Sequence, residues 1–239
     1  MAKTERILIR HIEGRRSERV AWLLEELGLP YALDFVPRDI VASLLALEQH
    51  HEMRMAPIVH IGKLVMVESG AILEYILAKH GKGSGLRPKK KSPEFPAYLE
   101  FLHFAEGTAM AKITADATEQ RLGKVLRDAG LEVPGPTKLP GPAGSRTGAQ
   151  RVLHYIENTL AKRPYFAGST FTAADIMMHF PIKRGAPVAC GAPYGIRDIL
   201  KTEFLAQFPH VRDFMERMEA RPAYQRAIAK TMPHGIPSL

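Results

Sequence analysis

The chain has 239 residues, 46% hydrophobic and 24% charged, with 33 Lys+Arg against 25 Asp+Glu for a net charge of +8. That length suits one or two domains, and that composition suits a folded globular chain rather than a disordered or fibrous one. A single cysteine excludes an intrachain disulfide, a CxxC redox pair and a thiolate zinc centre.

The charge is unevenly placed. Residues 1–82 carry 11 basic and 11 acidic side chains, so the whole excess lies in residues 83–239. There it is scattered, apart from Lys89-Lys90-Lys91. Without interleaved aromatics that run reads as a solvated linker rather than a nucleic-acid stripe. No apolar run approaches the ~20 residues of a membrane span. The opening MAKTERILIRHIEG lacks the long apolar core of a signal peptide. The expectation is a cytoplasmic protein with neither a membrane nor a nucleic-acid partner.

In chain order, Ile7-Leu8-Ile9 predicts a buried strand. Val20, Leu23, Leu24 and Leu27 fall on one helical face, with Ser17 as the expected cap and Gly28 as the stop. Leu33–Val36 suits a second strand and Ile40–Leu47 a helix. Ile58–Ile61, Gly62-Lys63 and Leu64–Val67 read as a hairpin. Ser69 is the expected cap of a helix carrying Ile72, Leu73, Ile76 and Leu77, ending near Gly81. The order is β-α-β-α-β-β-α.

Residues 81–96, GKGSGLRPKKKSPEFP, have the composition of an interdomain linker. Beyond them only helices are predicted: Tyr98 to about Leu126, Arg151–Leu160, Ala173–Phe180 and Val211–Met218. Residues 131–150, with four prolines and four glycines, read as an irregular loop. The domains are thus expected at 1–82 and 92–239.

Two local features carry chemistry. Pro57 directly before a strand marks a special turn, with a cis bond as one option; the backbone of Ala56 could then pair with a peptide ligand as an added strand does. Glu68-Ser69 stands at a strand-to-helix junction, where a hydroxyl and helix-start N–H groups favour an anion such as a carboxylate. Each feature alone is more readily a plain turn or a cap. Together, at this spacing, they point to a peptide site.

The chain resembles the glutathione S-transferases over nearly its whole length. The stretches that carry the resemblance are 11–31, 55–77, FAEG (104–107), FAGSTFTAADIMMHFPI (166–182) and 208–228. Within the family it is similar to a bacterial and fungal subgroup with a serine-arginine-serine signature. The resemblance implies a thioredoxin-like N-terminal domain that binds glutathione and an all-helical C-terminal domain that shapes an electrophile pocket. It also implies a homodimer, glutathione as co-substrate, no metal, and a role in detoxification. Thr172-Ala-Ala-Asp175 resembles the family's buried capping box.

Residue by residue, the resemblance assigns Ala56, Pro57, Glu68 and Ser69 to glutathione. Met55 stands where a base is usual, leaving Arg54 as the nearest substitute and His51 as a weaker one. Arg15 falls at the first serine of the signature and Ser17 at its second. Activation of a thiol whose free pKa is about 8.5 needs a donor, a cation or a helix N-terminus, and Arg15 and Ser17 are the catalytic candidates. His103 is a candidate pocket residue; Tyr98, Phe101, Phe104 and Phe180 are expected core; Cys190 is expected to be incidental. The leading function is attack of glutathione thiolate on an electrophilic, largely apolar substrate. The alternatives are a non-catalytic binding protein, a glutathione-dependent peroxidase or reductase, and a lyase or isomerase.

Overall fold

The apolar runs of the N-terminal third form one four-stranded sheet in the computed structural model, which describes residues 5–133, 146–191 and 203–235. Strands β1 (Ile7–Arg10), β2 (Tyr31–Asp34), β3 (Ile58–Ile61) and β4 (Leu64–Met66) stand in the order β2-β1-β3-β4. β1 is parallel to β2 and antiparallel to β3, and β3 is antiparallel to β4. A parallel step needs a crossover, which α1 (Ser17–Leu27) supplies. α2 (Ile40–Leu47) and α3 (Ser69–His80) complete the thioredoxin-like unit. Ile7 and Ile9, Val59 and Ile61 bury one sheet face against Val20, Leu23 and Leu24 of α1 and Ile72, Leu73 and Ile76 of α3. Alternation in the strands and 3.6-residue spacing in the helices put these side chains on facing surfaces.

Three local expectations are corrected. β2 begins at Tyr31 rather than Leu33, because Gly28 (φ 64°) closes α1 sharply and Leu29 N–H returns to Leu24 O at 2.9 Å; the chain is then in register with Ile7 by Tyr31. Ser17 and Ser69 are the first residues of their helices, not caps. Arg16 and Glu68 hold the cap positions, and neither uses its side chain there.

The remainder is helical. α4 (Phe95–Phe104), a π turn (Ala105–Met110) and α5 (Ala111–Asp128) follow one another without a break. α6 (Gly148–Leu160), α7 (Ala173–Ala189), α8 (Pro209–Glu219) and α9 (Pro222–Thr231) complete it. α9 is absent from the sequence-based elements. α7 runs well past Phe180, through Pro181 and Pro187. A helix-interior proline costs about 3 kcal/mol, but α7 is buried along nearly its whole length, and that packing outweighs the missing bonds. Gly185 brings α7 close to α5: a Cβ there would lie 2.5 Å from Ile113 Cδ1. Residues 134–145 of the Pro/Gly-rich loop lie outside the described residues. No helix among the described residues is long and apolar enough to cross a membrane.

The capping box at the start of α7 is present. Buried Asp175 accepts from Thr172 N–H at 2.7 Å, Thr172 Oγ1 at 3.0 Å and Phe166 N–H at 2.8 Å. Asp175→Ala strands two buried N–H donors, each costing about 1–3 kcal/mol. Urea unfolding should show a loss of about 2–5 kcal/mol, whereas a loss below the error of the extrapolation would remove the box from the fold's supports.

Candidate functional site

Strand register brings the candidate residues to one end of the sheet. Arg10 at the end of β1 pairs with Ile58 at the start of β3, and Val59 pairs with Met66. The loop 11–16, the Ala56–Pro57 step and Glu68-Ser69 therefore leave the sheet at the same edge. The Ala56–Pro57 peptide is cis. Ile12, Leu47 and Ile58 form a small buried cluster there, with Ala56 and Val67 packed against it.

Ser17 lies at this edge but turns inward. It is fully buried, and its Oγ lies 2.7 Å from His11 Nδ1. His11 Nε2 lies 2.8 Å from the Thr231 carbonyl. A carbonyl only accepts, so Nε2 carries the imidazole's proton and Nδ1 accepts from the Ser17 hydroxyl. Burial pushes the His11 pKa down to about 4, against a smaller upward pull from Thr231. The Ser17 hydroxyl hydrogen is thus engaged by His11. Arg15 differs: it is half-buried, and no side-chain hydrogen bond or ion pair engages it among the described residues.

The next turn of α1 carries a charged cluster that sequence reasoning missed. Arg19 is 2% exposed. Its Nη1 donates to Ser69 Oγ at 3.0 Å and to Glu106 Oε1 at 2.5 Å, and its Nη2 donates to Met177 O at 2.7 Å. Arg16 Nε donates to the same Glu106 oxygen at 2.8 Å. Burial lowers the Arg19 pKa, with Glu106 opposing. Burial works against ionisation of Glu106, but Arg16 and Arg19 hold its pKa below the usual carboxylate range. The sequence did contain a signal, because Arg19 sits four residues before Leu23, on the helical face that carries the core.

Ser69 is itself buried. Its oxygen accepts from Arg19, and among the described residues the hydrogen of its hydroxyl has only the Met177 thioether, 3.9 Å away. A thioether is a weak acceptor, so a strong donor is left underused. Glu68 beside it is exposed, with φ 70°.

On the other side of Glu106 lies a cleft of about 600 Å3, lined by Arg16, Glu106, Met110, Ala111, Thr114, Ala115 and Thr118. Several candidates fall outside this assembly. Arg54 is exposed and paired with Glu48. His51 accepts from the Met53 N–H at 3.2 Å. His103 is exposed rather than pocket-lining. Cys190 ends α7, donates to Ala186 O at 2.8 Å, and has its thiol pushed up to about 11 by burial, which suits no thiolate chemistry. Tyr98, Phe101 and Phe180 are buried, whereas Phe104 is only partly so. Among the described residues no group of His, Cys, Asp or Glu could hold a metal ion.

Comparison with known proteins finds a family match towards each end of the chain. The N-terminal domain of glutathione S-transferases matches residues 13–85, and the C-terminal domain matches residues 140–222. The chain belongs to the glutathione S-transferase family. Among curated relatives, Glutathione S-transferase 3 of Schizosaccharomyces pombe is 28% identical over 94% of this chain and 87% of its own. Glutathione S-transferase 1 of Triticum aestivum is 29% identical over 90% and 89%. A glutathione transferase family member from Pseudomonas fluorescens, solved with two glutathione bound, superposes with a TM-score of 0.68 at 20% identity, covering 95% of this chain and 94% of its own. The last likeness bears on the fold alone: a thioredoxin-like domain followed by an all-helical glutathione S-transferase domain.

In this glutathione S-transferase the loop that begins the site is tied to the last helix through His11. A histidine whose pKa falls from about 6.5 unfolded to about 4 folded binds fewer protons in the native state. Its contribution is therefore intact above pH 6.5 and is lost as pH falls towards 4. The loss amounts to about 3 kcal/mol at the low end. His11→Gln keeps a donor for Thr231 and an acceptor for Ser17 but cannot titrate. Denaturant midpoints between pH 6.5 and 4.5 should fall less steeply in His11→Gln than in the parent; parallel slopes would refute the assignment.

Proposed function

We propose that this chain is a glutathione transferase that ionises the thiol of bound glutathione for attack on a largely apolar electrophile held in the Arg16–Thr118 cleft. The observation that carries the reading is Ser69. At the start of α3 its hydroxyl hydrogen has, among the described residues, only a thioether partner, with the Arg19 guanidinium 3.0 Å behind it. A carboxylate is the ligand group that completes such a donor, and the γ-glutamyl end of glutathione carries one. Exposed Glu68 then faces the adjacent ammonium, and the Ala56 backbone pairs with the cysteinyl group. Arg54, engaged with Glu48, contributes only long-range charge.

The sulfur lies at the loop before α1. Ser17 is spent on His11, so activation falls to Arg15, whose always-charged guanidinium favours the thiolate without a proton transfer. The start of α1 adds its partial positive charge. The apolar part of the electrophile rests on Met110, Ala111 and Ala115. The division at 1–82 and 92–239, a homodimer, the cytoplasm as location, a detoxifying role and the serine-arginine-serine subgroup accompany this reading.

Calorimetric titration with glutathione tests it. The parent should bind, and Ser69→Ala should bind about tenfold or more weakly, corresponding to ~1.5–3 kcal/mol for a lost bond to a charged group. Glu68→Ala should weaken binding too. The thiolate absorbance of the complex should titrate well below ~8.5 in the parent and closer to it in Arg15→Ala. A parent that binds no glutathione would overturn the reading, and one that binds without lowering the thiol pKa would favour a non-catalytic binding protein.

A further inference from the structure

Arg19 and Glu106 belong to no glutathione contact assigned above, yet they sit directly behind one. Resting on the reading that Ser69 holds the γ-glutamyl carboxylate, we infer that Arg19 is a positioning residue that makes Ser69 a donor only, and that Glu106 holds glutathione affinity below what the site could give.

The first half follows from hydrogen-bond directions. A serine hydroxyl both donates and accepts. Arg19 Nη1 occupies a lone pair of Ser69 Oγ at 3.0 Å, while Nη2 is fixed on the Met177 carbonyl at 2.7 Å. The guanidinium cannot swing away without breaking the second bond. The Ser69 hydrogen is thereby aimed away from Arg19, and the site takes an acceptor rather than a donor. The weak 3.9 Å contact to Met177 Sδ is what an incoming carboxylate replaces.

The second half follows from charge. Glu106 Oε1 lies 2.5 Å from Arg19 Nη1 and 2.8 Å from Arg16 Nε, so one carboxylate oxygen serves two guanidiniums. Arg184 stands near the same two guanidiniums: the Cζ atoms of Arg16, Arg19 and Arg184 lie 5.4, 5.0 and 5.3 Å from the centre of the Phe180 ring. Glu18 also acts electrostatically on Arg19. A ligand carboxylate at Ser69 is a further anion drawing on Arg19, and it meets the like charge of Glu106 across a single guanidinium. Neutralising Glu106 leaves more of the Arg19 charge to the ligand. A purely architectural Glu106 predicts the opposite, because its loss would slacken Arg19 and weaken binding.

The test uses two ligands: glutathione, and γ-aminobutyryl-cysteinylglycine, which is glutathione with the γ-glutamyl α-carboxylate replaced by hydrogen. Kd is measured by calorimetry on the parent, Glu106→Gln and Arg19→Lys. Glu106→Gln keeps shape and an acceptor oxygen, and should bind glutathione about threefold to tenfold more tightly while its Kd for the analogue stays at the parent value. Arg19→Lys cannot reach Ser69, Glu106 and Met177 together. It should lose about tenfold or more for glutathione and much less for the analogue; if it fails to fold, Glu106→Gln decides alone. Weaker glutathione binding in Glu106→Gln, or equal shifts for both ligands, overturns the proposal while leaving glutathione at Ser69. A parent that does not distinguish the two ligands overturns the Ser69 assignment and the proposal with it.

Discussion

A guanidinium buried away from water must be paired, and the pairing of Arg19 fixes the site. Its partners come from three separate segments: Ser69 at the start of α3, Glu106 on the π turn, and the Met177 carbonyl within α7. Removing a charge from water costs several kcal/mol unless such partners meet it, so burying Arg19 ties α1 to the other three. The π turn has its own part in this. One wide turn between α4 and α5 places Glu106 against Arg16 and Arg19, while Ala109 and Met110 remain in the core. Single wide turns within α-helices are frequent at functional sites.

The same helix is clamped from the C-terminal end. α9 lies along α1, where Arg221 forms a two-bond pair with Glu26, and Arg226 and Lys230 both reach Glu25. Trp22 packs edge-on to Tyr224 and His179 and stacks on Phe171. The neutral N-terminal portion presents acids on α1, and the basic C-terminal portion meets them with α9.

Clamping also changes what individual residues can do. Ser17 occupies a position that looked catalytic, but His11 is drawn beneath it by the Thr231 carbonyl, and the hydroxyl becomes part of the joint between the first loop and the last helix. Arg15, two residues earlier, is left with its charge uncommitted. The loop thus divides its work: one side chain holds the chain ends together and the other is available to a ligand.

The order of strands and helices was legible in the sequence because alternation and 3.6-residue spacing mark each buried face locally. The stops at Gly28 and the hairpin at Gly62-Lys63 were equally local, since both need a positive φ. The Ala56–Pro57 and Glu68-Ser69 junctions could be read from residue type and spacing, and the structure brings them to one edge of the sheet. What the sequence could not show is which polar side chains are consumed once distant segments pack together. Ser17 is taken by His11 only because α9, a helix without an apolar pattern strong enough to announce itself, delivers Thr231. Arg19 is held beside Ser69 by the Met177 carbonyl, which Pro181, having no N–H four residues further on, leaves open to it. Helix starts and strand registers are decided within a few residues, whereas the direction of a hydroxyl hydrogen and the partner of a buried charge are decided by packing between distant segments.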